Sequence, residues 1–443
     1  MRLPLLELLL TGVLAAGFAA VGELVLHRRS RNPADGNEAM LAGMGVCAAG
    51  LFPLTLLASR YALAAEALAI GLCLAYAVAD RILRRRKRFE RERTAPDLRA
   101  RFLFAAVLLV AAGFAALNFR HTYLWDGFLI WATKAQLLSH SGRLTREWFV
   151  GDYYDLRHLA YPNLVSLGES LLGLLRGGFD FDRLKPVFLL FYASMLVGTY
   201  AAVRATLAAR FAAMAVLLVA LVPTLSTTYA AGGYADMPQA AVVAGVTAAA
   251  LRRRRGSLPW LIGALTTVKS EGMILAGLAC GGLLLFWLLE TGRGAARRVA
   301  VEWRGLAIVA VFLALRVGYV RWIDAPLDVY SGALSDALAR IPRVVTLCLE
   351  QLLDFRQWGL FWPAFLLAAA ALFAGGSRPA KALAAAVGAG LVVLMVPFLF
   401  TTWPLELQIS QAYFRLAAQL APAAATAAVL GYASAASRLE SPC

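Results

Sequence analysis

Four short polar stretches interrupt the apolar runs of this chain, and their residue types could together move a proton and hold an anion. Asp126 follows Trp125 in LWDGFLIWATKAQLL (124 to 138), Tyr234 and Asp236 lie in YADMP, Lys269 and Glu271 in KSEG, and Arg415 in YFRLAAQLAP. A carboxylate at a water–membrane boundary can take the proton of an attacking hydroxyl when partial burial raises its proton affinity. A guanidinium can grip two oxygens of a phosphate, and a lysine can add a point charge. Ionisable groups this close to hydrocarbon are costly, so each is expected to have a partner or a task.

The elements that must position them are membrane spans. Of the 443 residues, 60% are hydrophobic and the mean hydropathy is +0.68, against roughly 45–50% apolar content in soluble domains. Several apolar runs approach the length of about 20 residues that a bilayer-crossing helix needs. The reading is an all-α polytopic membrane protein with roughly 11–13 transmembrane helices and amphipathic interfacial helices in its external loops. The formal net charge of +16 comes from Lys and Arg in short loops, where the positive-inside bias places them. No recognition motif argues for nucleic acid.

Following that bias, the basic stretches 81 to 101, 252 to 255, 292 to 305 and 377 to 381 mark the cytoplasmic side. Spans are expected near 3 to 26, 39 to 59, 61 to 80, 102 to 118, 184 to 203, 209 to 224, 237 to 251, 258 to 289 as a broken pair, 305 to 320, 359 to 375, 381 to 400 and 413 to 433. The first is too long for a signal-peptide core and is followed by arginines, so it reads as a retained span with its N-terminus outside. The connections 119 to 183, 225 to 236 and 321 to 358 then share the opposite face and converge there. In the last of these, Leu334, Leu338, Ile341, Val345, Leu349 and Leu352 recur at spacings of three or four, an apolar stripe suited to a helix lying along the interface. YPNLVSLGESLLGLL (161 to 175) is expected to dip part-way into the bilayer. The five cysteines are scattered without a C-x-x-C pair and read as small hydrophobes. The four histidines show no metal-ligand spacing.

The order WD, HLAYPN, YADMP, KSEG and YFRLAAQLAP, all on one membrane side, resembles the GT-C glycosyltransferases that use polyprenyl-phosphate sugars. That group includes protein O-mannosyltransferases, the aminoarabinose transferase of lipid A and bacterial enzymes of the RgtA/B/C/D-like kind. The resemblance covers 102 to 433; residues 1 to 101 then form an N-terminal three-span addition with a basic cytoplasmic loop, and 434 to 443 a short tail. It implies a multi-pass protein of the plasma (inner) membrane with its active site on the periplasmic, non-cytoplasmic face. There a monosaccharide would pass from a polyprenyl phosphate to a hydroxyl of a glycan, lipid or protein. Membrane lipids would surround the site, and direct displacement would invert the anomeric centre.

The roles that follow give Asp126 the proton and give Arg415, Lys269 and Lys134 the donor phosphate. Lys134 would share the helical face of Asp126 if the segment is α-helical. Trp125, His158, Tyr161, Tyr234, Asp236 and Glu271 would line the substrate pocket. Asp236 could hold a sugar hydroxyl, orient Lys269 or join Asp126 around a divalent cation. Two hard ligands are too few to argue for a metal, so no cofactor is expected.

Blander readings stand beside these. Asp126 and Asp236 could cap helices, Lys269 and Glu271 could pair only with each other, and Arg415 could snorkel while Arg316 or Arg321 takes its task. Gly277 and Gly281 in GLACG would let helices pack closely. A transporter or lipid flippase is the alternative from another class, with Lys269 at mid-membrane depth and Glu66 among its polar groups. An oligosaccharide ligase and a non-catalytic assembly subunit complete the set.

Overall fold

The computed structural model describes residues 5–27, 33–83, 98–149, 160–291, 303–324 and 334–439. Among them every regular element is helical. Helices α1 (Leu5–Val25), α2 (Pro33–Ala58) and α3 (Ala62–Leu83) precede α4 (Leu98–Arg120), which leads toward Asp126. A π-helical turn (Gly127–Ala132) then runs into α5 (Thr133–Ser141), against which α6 (Leu164–Arg176) packs. The rest comprises α7 (Pro186–Arg204), α8 (Ala209–Ala220), α9 (Asp236–Leu251), α10 (Leu258–Leu265), α11 (Gly272–Thr291), α12 (Trp303–Ile323), α13 (Leu334–Leu353), α14 (Phe361–Gly375), α15 (Arg378–Val393) and α16 (Leu405–Leu439).

Seven helical segments among the described residues are long and apolar enough to cross a bilayer, and shorter apolar helices lie beside them. The chain is an all-α polytopic membrane protein. The expected broken pair is present as α10 and α11, separated by the turn that carries Lys269.

Helix α9 sits in the middle of the bundle between α7 and α16. Its Ala240, Ala241, Ala244 and Ala248 are buried, as are Ala417, Ala421, Ala424 and Ala425 of α16. Such small side chains let helix backbones approach closely where lipid offers no competing hydrophobic gain. Residues of α1 and α2 belong to the same buried cluster as those of α9 and α16.

The two ends of the bundle differ in charge chemistry. At the basic end, Arg252 after α9 pairs with Asp35 and Glu38 of α2, both at 2.6 Å, and Arg81 of α3 pairs with Glu23 of α1 at 2.6 Å. At the other end α9 begins with Asp236 and α16 brings in Arg415. There the connections converge: the Leu124 N–H donates to the Gly232 carbonyl, and the turn 223–226 touches the turn 355–358.

The stripe on α13, Leu352 excepted, is realised as an outward face. Leu334, Leu338, Ile341, Val345 and Leu349 are exposed, whereas Ala337, Val344, Cys348 and Leu352 turn inward toward α16. Helix α6 is buried along nearly its whole length by protein.

Candidate active site

Two elements bring the half-buried carboxylate of Asp126 to its place. Gly127 lets the start of the π turn lie against the Gly232 backbone, since a Cβ there would come within 2.0 Å of the Gly232 carbonyl oxygen. Gly233, at φ +84°, lets the 232–235 turn fold under the ring of Tyr123. Asp126 thereby faces α16. Its Oδ2 accepts a hydrogen bond from Arg415 Nη2 at 2.6 Å.

Arg415 is anchored from its other side. Its Nε donates to Asp236 Oδ2 at 3.0 Å, while Asp236 Oδ1 accepts from Lys269 Nζ and from Gln419 Nε2, each at 2.9 Å. The guanidinium carbon lies 4.2 Å from the centre of the Tyr234 ring, a cation–π contact that flattens the fork against an aromatic face. Tyr229 stands edge-on to both Tyr234 and Phe414. Arg415 Nη1 makes no hydrogen bond to a described residue, so one side of the fork remains able to donate.

The two carboxylates are not equivalent. Asp126 keeps 26% of its side chain exposed and Asp236 keeps 1%. Asp236 accepts from three donors inside the protein and fixes two cations, whereas Asp126 pairs with Arg415 and opens outward. Of the roles open to Asp236 in the sequence, its contacts are those of a residue that orients Lys269. It does not cap its helix, because α9 starts at Asp236 itself without a side-chain cap.

Lys269 also lies 3.6 Å from Glu271. Burial alone would push its ammonium down, but Asp236 and then Glu271 outweigh that and lift it above the ordinary lysine value.

Lys134 is placed elsewhere. The π turn replaces i to i+4 hydrogen bonding with i to i+5, seen where the Thr133 N–H donates to the Phe128 carbonyl, so the angular relation assumed for an α-helix between 126 and 134 does not hold. Fully buried, Lys134 donates to the Tyr161 carbonyl and lies 3.4 Å from Asn163 Oδ1. Arg316 of α12 stands by, donating to the Ala160 carbonyl at 2.7 Å and to Ser270 Oγ at 3.3 Å. Burial and then the Arg316 charge push Lys134 well below the ordinary lysine value. The turn carrying Lys269 and Ser270 therefore touches both cation groups.

Tyr161 stacks on Trp131 at 5.5 Å, and Trp125 is exposed beside Asp126. His158 lies outside the described residues. Gln419 was not singled out from sequence, and its one signal there is its place one helical turn after Arg415.

Below the ionic cluster the structure opens. An apolar cavity of about 140 Å³ begins at Leu265 and Leu420, next to the turn and to Gln419, and continues between α9, α11 and α15. It shares Leu278, Gly282 and Ala386 with a groove of about 570 Å³ between α11 and α15 that starts at Met273. Gly277 and Gly281 line this groove, and a Cβ at either would meet nothing within 4 Å. They keep a slot open; the sequence reading of close helix packing is overturned.

No protein-family model matches the sequence, and no curated protein matches it. Two solved structures are similar to it, both of ArnT from Cupriavidus metallidurans. The apo form has 19% identity and a TM-score of 0.48, covering 74% of this chain and 58% of ArnT. The form bound to undecaprenyl phosphate has 21% identity and a TM-score of 0.48, covering 74% and 59%. The chain spans less than two thirds of the length of these ArnT chains.

Proposed function

We propose that the chain is a membrane glycosyltransferase that moves a monosaccharide from a polyprenyl-phosphate carrier to a hydroxyl acceptor at the non-cytoplasmic face. The observation that carries this reading is Arg415, which bridges the open carboxylate of Asp126 and the enclosed one of Asp236 beside Lys269. That cluster stands at the head of an apolar slot. A lipid-anchored phosphate needs such a pair of surroundings, with cations for its head and a greasy channel for its tail.

In this scheme the isoprenoid tail lies along the slot between α11 and α15, whose Gly and Ala walls leave room for its methyl branches. The phosphate meets the free side of the Arg415 fork and the Lys269 ammonium. By sharing the guanidinium charge, it lessens the hold of Arg415 on Asp126. Asp126 then accepts the proton of the acceptor hydroxyl as the acceptor oxygen bonds to the anomeric carbon. The bond from that carbon to the phosphate oxygen breaks, its electron pair stays on the phosphate, and the cations meet the growing charge. One displacement inverts the anomeric centre. No metal is assigned a part.

Binding of undecaprenyl phosphate to the purified protein in detergent, read by native mass spectrometry, tests the cation assignment. The wild type should bind it, and Arg415→Ala should weaken binding by about tenfold or more, the loss of a charge-assisted pair of about 1.5–3 kcal/mol. Equal binding by the two proteins would remove Arg415 from the phosphate site.

A further inference from the structure

Glu169 is a fully buried acid on α6, whose other buried residues are Leu, Val, Ser and Gly. The mechanism above does not use it. Its Oε1 accepts the hydroxyl hydrogen of Tyr123 at 2.6 Å, and its Oε2 has no hydrogen-bond partner among the described residues. Phe181 and Phe188 stand edge-on to the half-buried Tyr123 ring. Lys185, buried at the start of α7, lies 5.7 Å from the centre of that ring and donates to the His121 carbonyl.

Burying a carboxyl against a neutral hydroxyl is costly beside an apolar contact of the same shape. What such a pair adds is direction, because a hydrogen bond fixes one geometry where apolar packing accepts several. The segment it fixes leads into Asp126. His121 is held through its carbonyl by Lys185, Tyr123 through its hydroxyl by Glu169, and Leu124 through its N–H by Gly232. Farther along, Ser166 donates to the Trp131 carbonyl and Ser170 to the Ala135 carbonyl, both at 2.9 Å. One face of α6 thus ties down the chain on both sides of Asp126. Arg415, on the opposite wall, is fixed independently by Asp236.

We infer that Glu169 is a positioning residue which, through Tyr123, sets the distance and direction of Asp126 relative to Arg415. This rests on the glycosyltransferase reading above. Misplacing a catalytic group by about 1 Å can cost about a hundredfold in rate, and the loss should fall on kcat because the phosphate site is untouched.

The test compares wild type, Asp126→Asn, Glu169→Ala, Glu169→Gln and Tyr123→Phe in membranes of producing cells. The donor is the mixed polyprenyl-phosphate sugar fraction extracted from those cells. Glu169→Ala and Tyr123→Phe should lose about tenfold in kcat or more, with KM for the donor fraction within about twofold of wild type. Glu169→Gln, which keeps an acceptor for the Tyr123 hydroxyl, should return to within about threefold of wild type. Should Glu169→Ala fail to accumulate, Tyr123→Phe decides alone, since it removes a single oxygen. Wild-type kcat in Tyr123→Phe, or a loss in Glu169→Gln as deep as in Glu169→Ala, overturns the positioning role. An active Asp126→Asn instead overturns the reading on which it rests, so the two failures are distinguishable.

Discussion

Two buried lysines, one on the turn between α10 and α11 and one on α5, are held in opposite ways. Lys269 sits between carboxylates, with Asp236 at 2.9 Å and Glu271 at 3.6 Å, and its value is lifted. Lys134 sits against a carbonyl and an amide oxygen with Arg316 nearby, and its value is pushed down. The residue type is the same and so is the burial. What differs is the sign of the neighbours, and that decides whether a lysine can serve as a fixed positive charge. The Lys269 side keeps a positive charge in place, and the Lys134 side pins the 160–163 segment.

The comparison can be broken at its anchor first. Asp236→Ala would leave Arg415 and Lys269 buried without their shared carboxylate, a loss of the size seen on breaking a buried pair, about 3–5 kcal/mol. Thermal unfolding in detergent should show it as the largest fall in Tm among these variants. A Tm equal to wild type would mean that the cluster is solvated and not held.

Lys269→Met should cost less, because Asp236 keeps Arg415 and Gln419, and Lys134→Met least. Removing Lys134 forfeits hydrogen bonds worth about 1 kcal/mol but also removes a burial penalty. The same Tm series orders them, and a Lys134→Met protein less stable than Lys269→Met would reverse the assignment.

The pH dependence sharpens the contrast. Lys134 has its folded-state value below its unfolded one, so between the depressed value and the ordinary one, about 10.4, the unfolded chain binds more protons and stability rises with pH. Lys269 behaves oppositely: its contribution is fully present below the unfolded value and is lost as pH rises through the lifted folded value. Lys134→Met should therefore flatten the gain in Tm on moving from neutral toward alkaline pH. An unchanged slope would show that Lys134 stays charged.

Much of this site was legible in the sequence because charge at the edge of hydrocarbon is rare and has a reason. Asp126, Asp236, Lys269, Glu271 and Arg415 stood out on that ground, and the structure brings all five together. Lys134 was misgrouped because a π turn is invisible to α-helical spacing, and its partners come from the 160–163 segment. Gly277 and Gly281 carry the same pattern whether helices close on them or leave a slot, so only the fold distinguishes the two. Glu169 could be seen as an acid in an apolar helix, yet nothing local names Tyr123, 46 residues earlier, as its partner. The helices themselves followed from apolar length and basic turns, which is physics that acts along the chain.

The central claim is that Asp126 takes the acceptor proton while Arg415 holds the carrier phosphate. Mass spectrometry of surface glycans and of lipid-linked sugars in cells that carry wild type or Asp126→Asn tests it most directly. The account predicts that Asp126→Asn loses one sugar from one glycan, with a fall in transfer of about a hundredfold or more, and accumulates the matching polyprenyl-phosphate sugar. Identical glycan and carrier profiles in the two strains would contradict it.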